Sequence, residues 1–247
     1  MGYKSLAQMP TRRNGPVSSN VRPHNRMSDT PTCDEFVKMM ADFSSAYLDP
    51  AFKNMKAGKP HTQPTDEVFA TLFYGYAEIT DAIDSLTLCE TLIGVAPPRS
   101  KAIEKDRYLK FIVGTYLQEV YILEQRLTAY AKKISRLYGI PGIPKAVQQV
   151  VYEPLEGIIN TRGAHVHAQR FSDKHLSSVS QFALLRRLRH PLGEDFDFEY
   201  KLAQMEWKSQ AQKNNKAILK IVEQYFRILR IVLAPKGKID FPRARSK

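Results

Sequence analysis

LKFIVGTYLQEVYILEQRLTAYAKKISRLY, residues Leu109 to Tyr138, decides the fold class of this chain. Its apolar side chains Leu109, Ile112, Val113, Tyr116, Val120, Leu123, Leu127, Tyr130, Ile134 and Leu137 recur every three or four positions, the period of one helix face. A half-buried strand would instead alternate at every second residue. The spacing therefore predicts one helix of about eight turns, running from just after Ser100 to Tyr138, as the spine of the fold. YGIPGIP stops it, since Gly139 and Gly142 can turn left-handed and Pro141 and Pro144 cannot donate to a continuing helix.

Working outward, the same period recurs on both sides. Phe69, Leu72, Phe73, Tyr76, Ile79, Ile83 and Leu86 predict a helix from Asp66 that ends before Pro97 and Pro98. Upstream, TCDE reads as a capping box in which Thr32 caps and Glu35 reaches back, opening a short helix with Phe36, Met39, Met40 and Phe43 inside. DPAFKNMKAGKPHTQP, Asp49 to Pro64, reads as the link that follows it. Downstream, Val147 to Ile159 is helical by pattern, with Pro154 placed to kink it or to start a new helix.

A helix follows from Asp173 with Leu176, Val179, Phe182, Leu185 and Leu188 as its buried stripe. A last long helix spans Phe196 to Leu233, with Phe198, Leu202 and Met205 and then Ile218 to Val232 as its apolar ends. Its polar middle, KSQAQKNNK, predicts a solvent crossing or a break near Asn214 and Asn215. The expectation is an all-α bundle of about six helices around one very long central helix. Its domain spans residues 32–234, between a disordered basic arm over 1–31 and a basic tail over 235–247.

Hydrophobic content of 43% and charged content of 25% are those of an ordinary globular chain, and no apolar run is long enough to span a membrane. Cys33 and Cys89 stand far apart and suggest neither a disulfide framework nor a thiolate metal site, so a reducing cytoplasm is expected. The net charge of +12 is unevenly spread. Lys4, Arg12, Arg13, Arg22 and Arg26 face only Asp29 before Thr32, and Lys236, Lys238, Arg243, Arg245 and Lys247 face only Asp240 after Ala234. Such ends attract polyanions through counterion release without selecting one, and they also solubilise.

TRGAHVHAQRF, Thr161 to Phe171, falls between two of these helices, where functional groups are often held. Three readings are open. His165 and His167, with Asp173 or His175, could bind metal, but no Cys, HExxH or carboxylate pair completes a ligand set. Arg162 and the histidines could simply bond the last carbonyls of a helix and complement its dipole. Or they could perform acid/base chemistry on a phosphate.

Arg162 and His167 form R-x4-H, which resembles the signature of the HEPN superfamily of all-α nucleases. YLQEVYILEQRL on the long helix and HVHAQRFSDKHL after the motif look like bacterial HEPN proteins, and the likeness extends over residues 66 to 233. The resemblance implies a metal-independent endoribonuclease without a cofactor, in a toxin or phage-defence setting with an antitoxin or other partner protein. Residues five apart on a regular helix diverge by about 140°, so a turn distorted at Gly163 or a second subunit is needed, and the resemblance implies a homodimer that brings two motifs together. By position, His167 would be the base or acid and Arg162 the charge stabiliser, with His165, Glu119 and Glu124 in support. Arg170, Arg186, Arg187 and Arg189 would extend the nucleic-acid surface. Gly163 stands where active members often carry a polar residue, which keeps open a non-catalytic HEPN-like module that binds nucleic acid or protein.

Overall fold

A computed structural model of the chain describes residues 31–59, 67–100, 102–158 and 173–239. Among them the fold is all-α, with no strand. In chain order the helices are α1 (Pro31–Lys56), α2 (Glu67–Gly94), α3 (Lys105–Tyr138), α4 (Ile143–Val147), α5 (Lys174–Arg187) and α6 (Phe196–Leu233). A π-helical turn, Gln148–Tyr152, prolongs α4 into a further α turn over 153–158, and a 3-10 turn, Pro191–Asp195, precedes α6. The arm, apart from Pro31, and the tail beyond residue 239 lie outside the described residues.

The stripe read from the sequence is the centre of the core. Leu109, Val113, Tyr116, Val120, Leu123, Leu127 and Ile134 of α3 are fully buried. Gly139 ends the helix in the left-handed region at φ 69°, whereas Gly142 is right-handed and leads into α4. α2 lies antiparallel to α3: the Tyr130 hydroxyl donates to the Leu72 carbonyl at 2.9 Å near one end, and that of Tyr108 to Leu92 at 3.4 Å near the other. α6 runs parallel to α3, as Lys105 meets Asp197 and the Tyr225 hydroxyl donates to the Leu127 carbonyl at 2.8 Å. α1 closes the bundle by stacking Phe36 on Phe226 of α6, with ring centroids 4.4 Å apart.

Several expectations change. α1 does not stop at Asp49; it runs to Lys56 with Pro50 inside it, so half of the expected link is helix. Phe52 and Met55 are half exposed there, so no buried stripe advertised the extension. Glu35 pairs with Arg230 across the bundle, a use of that carboxylate that a capping-box reading does not foresee. α6 is unbroken, because its polar middle is held by side-chain bonds. Asn215 accepts from the Tyr116 hydroxyl at 3.0 Å and donates to Glu90 at 2.6 Å, so polar residues there face partners on α2 and α3.

The first half of α6 also turns the other face inward. Phe196, Tyr200, Ala203, Trp207 and Ala211 are buried, whereas Phe198 and Met205 are 67% and 69% exposed. Aromatic rings and alanines fill the space, and of the expected stripe Phe198 and Met205 are left bare while Leu202 is half-buried. Leu188 is likewise 68% exposed, because α5 has already ended. Pro154 stands in the first turn of the α segment that opens at Glu153, the place where a proline starts a helix. The π turn just before it pairs the Glu153 amide with Gln148, five residues back, a geometry that relieves the proline ring of the carbonyl it would otherwise meet.

Tyr116, Tyr130 and Tyr225 are fully buried. Burial pushes each of their hydroxyls up from the ordinary tyrosine value, and it pushes Tyr200 up to about 12. A folded-state pKa raised on an acid means that the unfolded chain loses the proton first, so stability falls as pH rises through the unfolded value near 10. Tyrosinate absorbance from Tyr116, Tyr130 and Tyr225 is expected only together with loss of the helical circular dichroism signal. Ionisation of all twelve tyrosines in a still helical protein would contradict this packing.

Candidate functional site

Arg162, His165, His167 and Arg170 lie outside the described residues, in the segment 159–172. Its two flanks are described, and both are anchored. On the upstream side Val151 and Leu155 are buried and Ile158 packs against the core. On the downstream side Asp173 caps α5, one carboxylate oxygen accepting from the His175 and Leu176 amides at 3.0 and 3.1 Å. The same oxygen accepts the Trp207 indole N–H at 3.1 Å, which ties the start of α5 to α6. The sequence places a helix start near Asp173, but nothing in it announces that a tryptophan 34 residues away shares the cap.

Glu119 and Glu124 are not brought together. Glu124 is buried at 4% exposure, accepting from Gln125 at 2.5 Å and from Thr128 at 3.1 Å. Glu119 faces the other way, into an open groove between α2 and α3, near enough to Cys89 to add its charge to the burial that pushes that thiol up to about 11. The five-residue spacing on a regular helix accounts for the divergence.

Two of the three arginines at the end of α5 are engaged within the protein. Arg186 pairs with Asp197 at 3.4 Å and lies over the Phe196 ring, 5.3 Å from its centroid. Asp197 also accepts from Lys105 at 2.7 Å, and that ammonium above all holds its carboxyl below the usual aspartate range. Arg187 reaches Glu104 at 3.3 Å and the buried Asp106 at 3.5 Å. These pairs join the C-terminus of α5 to the N-termini of α3 and α6, across 81 residues for Arg187 and Asp106, which is why RRLRH looks like an uncompensated basic run in the sequence.

Arg189 differs from both: it has no ion pair among the described residues, and it adopts φ 55°. It is the left-handed residue of a Schellman cap, its amide donating to Arg186 and that of His190 to Leu185. A side chain in this region costs about 1 kcal/mol that glycine does not pay. Arg189→Gly is therefore expected to raise stability by about 0.5–1 kcal/mol in urea melts. A fall in stability would mean that the arginine side chain has a structural partner.

Among the described residues no three His, Cys, Asp or Glu side chains converge as a metal site, and no helix is long and apolar enough to cross a membrane. What the fold defines is an all-α bundle in which the described residues on either side of the R-x4-H segment are anchored to the core. In comparisons with family models, curated proteins and solved structures, nothing matches this chain.

Proposed function

We propose that this protein is a metal-independent endoribonuclease of the HEPN type, acting as a homodimer on RNA. The observation that carries the reading is the anchoring of both flanks of segment 159–172, by Leu155 and Ile158 on one side and by the Asp173 and Trp207 bond on the other. A short stretch holding two arginines and two histidines, tied at both ends to a packed core, suits chemistry that needs proton donors and a cation at fixed positions. The all-α frame agrees with the resemblance. The bare side chains of Phe198 and Met205 add apolar surface of the kind that a second copy covers.

In this reading neutral His167 takes the proton from a ribose 2′-hydroxyl, whose oxygen then attacks the adjacent phosphorus. The bond from phosphorus to the 5′-oxygen breaks, and the protonated imidazole, or that of His165, returns a proton to the leaving oxygen. Arg162 neutralises charge building on the phosphoryl oxygens. The nucleophile is supplied by the substrate itself, so the products are a 2′,3′-cyclic phosphate and a 5′-hydroxyl. Any antitoxin or other restraining partner, and a cytoplasmic setting in phage defence, belong to the same proposal.

With Arg186 and Arg187 spent on Asp197, Glu104 and Asp106, Arg170 and Arg189 are the more effective of the four proposed phosphate contacts. The direct test is a matched pair of substrates, an RNA strand and the same strand carrying 2′-O-methyl groups throughout. Cleavage of the first and none of the second supports the mechanism. Tight, salt-sensitive binding of both with no turnover assigns the protein to the non-catalytic binding class instead.

A further inference from the structure

We propose that the outer face of the α2–α3 pair is a docking surface for the chain's own basic N-terminal segment, residues 1–30. Between the two helices runs an open groove of about 530 Å³, in which Asp81 and Asp84 of α2 and Glu119 of α3 surround the apolar side chains of Leu88 and Ile122. None of the three carboxylates has an ion-pair partner among the described residues. The one cation on the groove, Arg126, is drawn to its edge, where its guanidinium donates to the Glu78 carbonyl at 2.5 Å. On a chain of net charge +12, this face is therefore an anionic exception. Leu88, 57% exposed, leaves it an apolar floor as well.

The packing of α1 determines which segment can reach it. Phe43 lies against Phe69 and Phe36 against Tyr76, so α1 runs antiparallel to α2 and its first residue, Pro31, comes level with the α2 turn that carries Asp81. A chain leaving there spans about 3.3 Å per extended residue, so some five or six residues carry it around α2 into the groove. The residues that follow backwards from Pro31 hold Arg26, Arg22, Arg13, Arg12 and Lys4 against Asp29 alone, interleaved with Met27, Val21, Val17 and Met9. Cations and small apolar side chains are what the groove lacks. The C-terminal tail is the poorer fit: Tyr225 already meets Leu127, beyond the groove, and α6 carries the chain further away before it ends at Leu233.

Docking withdraws the arm's arginines from other polyanions until one of higher charge density competes for them. This inference stands apart from the ribonuclease reading and holds or fails whether or not RNA is cut. The test is limited trypsin digestion of the full chain, following cleavage after Lys4, Arg12, Arg13 and Arg26 by mass spectrometry. The wild type is compared with Asp81→Asn/Asp84→Asn/Glu119→Gln, in which the shape of the groove is kept and its charge removed. At low salt the wild type is expected to be cut about fivefold more slowly than the variant. The difference should vanish near 1 M salt, where the Debye length is about 3 Å.

Arg12→Gln/Arg13→Gln should likewise speed cleavage after Arg26. Equal rates in wild type and both variants overturn the proposal. Protection that is lost on dilution also overturns it, since it would place the arm on a second copy.

Discussion

Gly75→Ala is expected to destabilise the bundle by about 3 kcal/mol, enough to lower a urea midpoint severalfold more than a surface substitution would. A β-carbon at Gly75 would stand 2.3 Å from Cδ2 and 2.6 Å from Cε2 of the Tyr130 ring. That ring cannot move aside at low cost. It is 2% exposed in the centre of the core, and its hydroxyl is fixed to the Leu72 carbonyl one turn before Gly75. Either the hydrogen bond breaks and leaves a buried hydroxyl, or α2 and α3 move apart along the most extensive helix contact of the fold. The double variant Gly75→Ala/Tyr130→Leu should recover part of the loss. A single variant as stable as the wild type would show that α2 does not approach α3 this closely.

The second large effect is on chemistry. His167→Ala is expected to lower the rate of RNA cleavage by 10²–10⁴-fold, the usual contribution of a positioned acid or base. Because the core already holds the described residues on both sides of the segment, the thermal midpoint should change by little. Phosphate contacts are untouched, so RNA affinity should stay within a fewfold of the wild type. The separation of rate from stability and affinity is what distinguishes proton transfer from capping. A histidine that merely bonded helix carbonyls would lower stability and leave any activity in place.

The parts of the fold that were legible are those where packing and sequence period coincide. α3 could be read end to end because its buried face never lapses over its length. α1 beyond Leu48 was not legible, since Phe52 and Met55 are half exposed and Pro50 argues for a stop, while the helix continues to Lys56. The middle of α6 was misjudged because its stabilisation is polar: the pattern registers KNNK as solvent, whereas Asn215 binds Tyr116 and Glu90. The inward face of its first half was missed for a related reason. Phe198 and Met205 weigh as much as Phe196 and Trp207 in a periodicity reading, and only the position of α5 decides between the two faces.

At the candidate site, local features were readable and distant ones were not. The R-x4-H spacing and the helix start at Asp173 are visible within a few residues. The pairing of Arg187 with Glu104 and Asp106 and the bond from Trp207 to Asp173 join segments far apart in sequence. For the same reason, Glu119 and Glu124 share a helix and a charge but not a surface.

The most direct test of the ribonuclease reading is incubation of the purified full-length protein with total RNA in excess EDTA, followed by chemical analysis of the new 3′ ends. Cleavage in EDTA leaving 2′,3′-cyclic phosphates is the expected result. Intact RNA, or 3′-hydroxyl ends that appear only when a divalent ion is restored, from a protein shown to be folded and dimeric, would contradict it.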